Sequence, residues 1–134
     1  MTFELLVLAH TLISLLIQIK KVVEWFNKRQ SCEDLKYDIR EKIQLIEKNF
    51  QEVKKCLAIC IKYIPSISPS DLNREVPHEV QANITRVYDL GIDSYEKLAD
   101  IKTLMSSHAL NCLDNPKDRA KLRGLLENLD RKIL

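Results

Sequence analysis

From Leu5 to Ile19 the chain carries no formally charged residue, which makes its opening stretch the most apolar part of the sequence. Polar residues interrupt this stretch at Glu4, Thr11, Ser14, Gln18, Lys21 and Lys28, with spacings of seven, three, four, three and seven. At 3.6 residues per turn these positions fall on one narrow stripe. The pattern predicts a long apolar helix over residues 2–28 that buries most of its circumference and keeps one thin edge near water.

The next periodic segment is amphipathic. Leu35, Ile39, Ile43, Ile46, Phe50, Val53, Leu57, Cys60 and Ile64 follow one another in steps of three or four, the signature of a helix with one buried face. The opposite face, with Lys36, Arg40, Glu47, Lys48, Lys54, Lys55 and Lys62, reads as solvated. Ser31 with Asp34 three residues later resembles a capping box, which places this helix over 32–64. Pro65 to Asp71 breaks the pattern. A third helix is expected over 77–110, opened by Pro77, with Gly91 marking a kink or a close helix approach, or else a break with Asp93 as a new cap. Asn115 and Pro116 cap a fourth helix over 116–133, whose buried edge is Leu122, Leu125, Leu126, Leu129 and Ile133. Four amphipathic segments with mostly short connections predict an all-α, antiparallel four-helix bundle forming one domain over 1–134. Only two glycines and four prolines, with 30 % charged residues, leave little material for strands.

The opening stretch must also be weighed against targeting segments. A signal peptide wants a basic start and a small-residue cleavage site, whereas Glu4 stands near the start and no such site follows. The run from Phe3 to Ile19 is at the short end for a membrane span, and length alone does not exclude a small protein anchored permanently by its first helix. The polar stripe favours a helix packed within a bundle that can also enter a bilayer. Net charge is +2, but it is segregated. Residues 1–64 carry 11 Lys and Arg against 8 acids, residues 65–114 carry 4 against 8, and residues 115–134 carry 6 against 3. An acidic third helix packed against basic neighbours is therefore expected. Cys32, Cys56, Cys60 and Cys112 have neither disulfide-framework nor zinc spacing and read as reduced, apolar side chains, which suits a cytoplasmic protein. Asn83-Ile84-Thr85 has sequon form and, without a secretion signal, reads as chance.

Convergent catalytic chemistry is sparse. His10, His78 and His108 are far apart and have no partner at ligand spacing, and there is no phosphate loop or nucleophile elbow. The chain reads as a non-enzyme without metal, cofactor or small-molecule substrate. Its basic residues alternate with acids and lack an aromatic platform, which argues against nucleic acid. Trp25 and Phe26 beside Lys20, Lys21, Lys28 and Arg29 form the combination that a membrane-interface helix uses, or equally an aromatic pair closing a core beside a solvated helix end.

The order of elements, with Asn27 and Lys28 ending the apolar helix and then Cys32, Leu35 and Ile39, resembles the start of the HeLo class of four-helix cell-death domains, which includes the N-terminal bundle of mixed lineage kinase domain-like protein. The stretch from Lys28 to Cys32 is one residue longer than the family spacing, and the resemblance is strongest over residues 3–60. It implies a cytoplasmic death or defence module that homo-oligomerises when triggered and then targets or permeabilises membranes. Lys20, Lys21, Lys28 and Arg29 would engage anionic, phosphoinositide-type headgroups. Phe3, Leu6, Leu12, Leu16, Trp25 and Phe26 would insert or oligomerise. The alternative is a protein-interaction or oligomerisation scaffold without membrane activity. The hydrophobic pattern carries its own test. Ile46→Asp or Phe50→Asp places an unpaired charge on the second helix's apolar stripe and is expected to abolish cooperative unfolding, as read by circular dichroism against urea.

Overall fold

The computed structural model describes residues 2–29, 32–63 and 77–133, with the backbone alone for residues 2–9, 63, 132 and 133. Four helices account for nearly all of it, and no strand occurs among the described residues. Helix α1 is Thr2–Asn27 and α2 is Glu33–Tyr63. Helix α3 begins as His78–Leu104, passes through a π-helical turn at Met105–Ala109 and closes with Leu110–Cys112. Helix α4 is Pro116–Ile133. The cap expected at Ser31 and the connection from Pro65 to Asp71 lie outside the described residues.

Helix α1 buries Leu12, Leu15, Leu16, Ile19, Val22, Val23 and Phe26, the three-and-four spacing of one wide apolar face. Its solvent edge holds Thr11, Ser14, Lys21 and Lys28 as the pattern predicts, but also Ile13 and Ile17, which are 50 % and 48 % exposed. The edge is thus broader and greasier than a thin polar stripe.

The helix ends in a tightened turn, with Lys28 N–H donating to Trp25 O and Arg29 N–H to Phe26 O. Lys36, from the first turns of α2, reaches back to finish it. Its ammonium donates to Arg29 O and, at 3.3 Å, to Glu33 Oε1, and it sits 5.9 Å from the centre of the Phe26 ring. The sequence pattern put Lys36 on the solvated face of α2. Instead its side chain is only 6 % exposed, because it supplies a donor and a cation where a helix C-terminus leaves carbonyls unsatisfied.

Cys32 adopts a left-handed conformation (φ 68°) immediately before α2 and is disulfide-bonded to Cys112 at the end of α3, with Cα atoms 5.8 Å apart. This corrects the expectation of four unpaired thiols. Linear spacing could not reveal the pair, since folding alone brings the two chain ends of α2 and α3 together. Cys56 and Cys60 are free.

Among the described residues the core falls into two clusters. The larger joins the α1 face to Ile39 and Ile46 of α2, Leu98, Ile101, Met105 and Ala109 of α3, Leu113 beyond it, and Leu122, Leu126 and Leu129 of α4. The smaller holds Cys56 and Val87, flanked by Val53, Leu57, Ile84 and Tyr88. A polar contact joins α2 to α3 near their boundary. Asn49 Nδ2 donates to Asp93 Oδ2 at 2.7 Å and to the fully buried Ser94 Oγ at 3.2 Å, and Lys97 Nζ lies 2.6 Å from the same Asp93 oxygen. Farther along, Cys60 Sγ lies 3.9 Å from Val80 O.

Helix α3 runs unbroken through the buried Gly91, so Asp93 is a cross-helix acceptor and not a new cap. The irregularity comes later, in the π-helical turn. There the Ser107 hydroxyl donates to Thr103 O at 2.6 Å and Asn111 Nδ2 to Ser107 O at 2.7 Å, side chains that compete for the backbone carbonyls. Asn115 Oδ1 accepts from Lys117 N–H at 2.8 Å and caps α4. Helix α4 is tied to its neighbours by Arg29 with Asp118 and Lys102 with Asp130. The latter places the cation on α3, opposite to the charge arrangement expected for that helix.

Two outcomes follow. The disulfide closes a separation of 80 residues, so reduction is expected to cost about 4.5 kcal/mol on the chain-entropy account, read as a lowered urea midpoint in reductant. Hydrogen bonds from Lys97 and Asn49 hold the Asp93 carboxyl below the usual carboxylate range, against a smaller opposing effect of burial. Its stabilisation is therefore present above the unfolded value near 3.9 and is lost as pH falls through the lower folded value. Asp93→Asn should flatten the urea midpoint's pH dependence below about pH 4.

Candidate functional site

Helix α1 and the turn that follows it present the four cations expected from the sequence, but the fold divides them. Lys20 Nζ lies 2.5 Å from Glu47 Oε1 of α2. Arg29 is half-buried, its Nε 3.3 Å from Asp118 Oδ1 in an ion pair without hydrogen-bond alignment, and its guanidinium lies 4.2 Å over the centre of the Trp25 ring. Stacking on Trp25 and pairing with Asp118 hold this side chain on the protein surface. Lys21 and Lys28 are exposed, with no ion pair among the described residues.

The apolar candidates separate in the same way. Leu12, Leu16 and Phe26 are core residues, Phe26 fully so, and Trp25 is half-buried against that core. Phe3 and Leu6 lie on the part of α1 described by backbone alone. The described apolar candidates therefore do not form a surface. Pattern reading overlooked Ile13 and Ile17, which share the edge of Lys21 and Lys28 at steps of four, four and seven. That spacing was the available signal, masked by an apolar count that treats every isoleucine in a greasy helix as core.

An apolar cleft adjoins this edge. It measures about 380 Å³ and is walled by Leu12 and Ile13 of α1, Phe50 and Leu57 of α2, and Val87 and Gly91 of α3. A second, more open hollow lies beside the disulfide, among Glu33, Asp34, Asp38, His108 and Asn111. No group of three or more His, Cys, Asp or Glu side chains placed to hold a metal occurs among the described residues. Burial pushes both free thiols up, with Glu52 adding to the effect at Cys56, so neither is an activated nucleophile. His10 and His78 are exposed, and exposed His108 has its Nδ1 2.7 Å from Ser107 Oγ.

Lys21, Lys28 and the exposed Glu24 thus share one edge with Ile13 and Ile17, with the apolar cleft at its side, and neither lysine has an ion pair among the described residues. Among the described residues no helix is long and apolar enough to cross a membrane. No family model, no curated protein and no solved structure matches the chain.

Proposed function

We propose that the protein is a non-catalytic helical module, an antiparallel four-helix bundle with α1 as its apolar leading helix, that associates with anionic membrane surfaces through α1 and oligomerises there, as the HeLo resemblance implies. The observation that carries this reading is the α1 edge of Ile13, Ile17, Lys21 and Lys28. Half-exposed apolar side chains beside cations that have no ion pair among the described residues are the two elements an interfacial helix combines, and exposed Glu24 lies on the same edge. The antiparallel arrangement is supported by pairings between α2 and α3: as the α2 partner rises from Asn49 to Cys60, the α3 partner falls from Ser94 to Val80.

In this reading the lipid-facing cations reduce to Lys21 and Lys28, because Lys20 and Arg29 would have to give up Glu47 and Asp118 to reach a headgroup. Surface lysines contribute about 1 kcal/mol each to binding an anionic surface. Leu12, Leu16 and Phe26 would reach the bilayer only if α1 left its partners, a second step that separates permeabilisation from docking. The cytoplasmic setting drew on four reduced thiols; with two of them bridged, that argument covers only Cys56 and Cys60.

A scaffold without membrane activity is the second reading, favoured by Ile92 and Tyr95, which are apolar and exposed on α3 and could serve a protein partner. Vesicle co-sedimentation with and without phosphatidylserine decides between the two. Lys21→Gln with Lys28→Gln is expected to weaken binding to the anionic vesicles by about 2 kcal/mol, roughly 30-fold, with unfolding unchanged. Binding indifferent to lipid charge or to these changes, or a stable oligomer that ignores vesicles, would overturn the membrane reading. Dye release from the same vesicles tests permeabilisation.

A further inference from the structure

The cleft beside α1 lies at the seam between the two core clusters. Leu12 belongs to the larger cluster, which Phe50 flanks, while Val87 belongs to the smaller, flanked by Val53 and Leu57. At this seam apolar residues of three helices line an open cleft, and buried Gly91, which has no side chain, is among them. Apolar atoms facing a gap lose the dispersion contacts that a close-packed interior supplies.

The polar groups at the cleft are few, and they carry a sign. Glu47 is paired with Lys20 at 2.5 Å. Lys54 is exposed, with no ion pair among the described residues, and Gln51 is exposed beside it. Among the described residues the mouth thus offers one cation without an ion pair and one amide donor, a match for a single anionic head of small size. A volume of about 380 Å³ is at the low end for small-molecule sites, which suits one alkyl chain and excludes a two-chain lipid.

We propose that this cleft is a binding site for a single-chain fatty acid, with the alkyl chain along Leu12, Phe50, Leu57 and Val87 and the carboxylate at the mouth on Lys54 and Gln51. The site is independent of the α1 surface reading, since it requires neither a bilayer nor Lys21 and Lys28.

Calorimetric titration of the full chain with octanoate, decanoate and dodecanoate, each below its micelle concentration, tests it, with dodecanol as the uncharged control. One saturable site is expected, tightening about fourfold per added methylene until the cleft is filled. Lys54→Gln, at an exposed position that leaves folding intact, should weaken dodecanoate roughly fivefold and leave dodecanol unchanged. Gly91→Leu, with its thermal unfolding checked in parallel, should weaken every ligand at least tenfold by occupying the wall. Absence of saturable binding, affinity independent of chain length, or equal loss of dodecanoate and dodecanol in Lys54→Gln would overturn the proposal.

Discussion

The burial of one face of α1 is the constraint on which the remaining architecture depends. Between Leu12 and Phe26 that face contributes to a cluster shared with α2, α3 and α4, so none of the three can move far without exposing it. A fully buried Phe26 side chain alone is worth about 2–3 kcal/mol. The polar and covalent ties gather where this face ends. Lys36 closes the last turn of α1, Arg29 bridges Trp25 and Asp118, and the Cys32–Cys112 bond fastens the entry of α2 to the exit of α3. Fixing α1 at its C-terminal end leaves the register of the whole helix determined from that point.

The seam between the two core clusters is built differently. Beyond Asn49, Asp93 and Ser94, the α2–α3 pair carries its own small cluster, and the seam between the two clusters opens into the cleft against Leu12 and Ile13. A hydrogen-bonded network with a buried hydroxyl at that seam is specific about register, because a slip along α2 or α3 would strand Ser94 without its donor. The structure is therefore firmly tied where α1 ends, while an open cleft adjoins Leu12 and Ile13 at the seam. Ile13 of the α1 edge lines that cleft, and Lys28 lies at the tied end.

Electrostatics follow the same division of labour. Pairing with Glu47 and Asp118 gives Lys20 and Arg29 a structural task, and burial gives Lys36 another. Exposed ion pairs contribute little individually, yet they decide which cations remain available to an external anion. What is left on the α1 edge is Lys21 and Lys28, and at the cleft Lys54.

The sequence alone determined that the described residues are all-helical and form four helices, because three-and-four spacing with few glycines and prolines favours no other regular structure there. It also determined the cap at Asn115 and most of the solvent edge of α1, since both depend on local spacing. Other features depend on partners distant in the chain. Cys32 meets Cys112 only after two helices have run out and back, Lys36 leaves the solvated face only because the end of α1 arrives beside it, and Asp93 serves Asn49 instead of starting a helix. Ile13 and Ile17 look like core in a one-dimensional pattern; only the placement of α2, α3 and α4 determines which sectors of an apolar helix are covered. Local periodicity encodes which residues can share a face, whereas burial depends on what packs against that face, and that is decided in three dimensions.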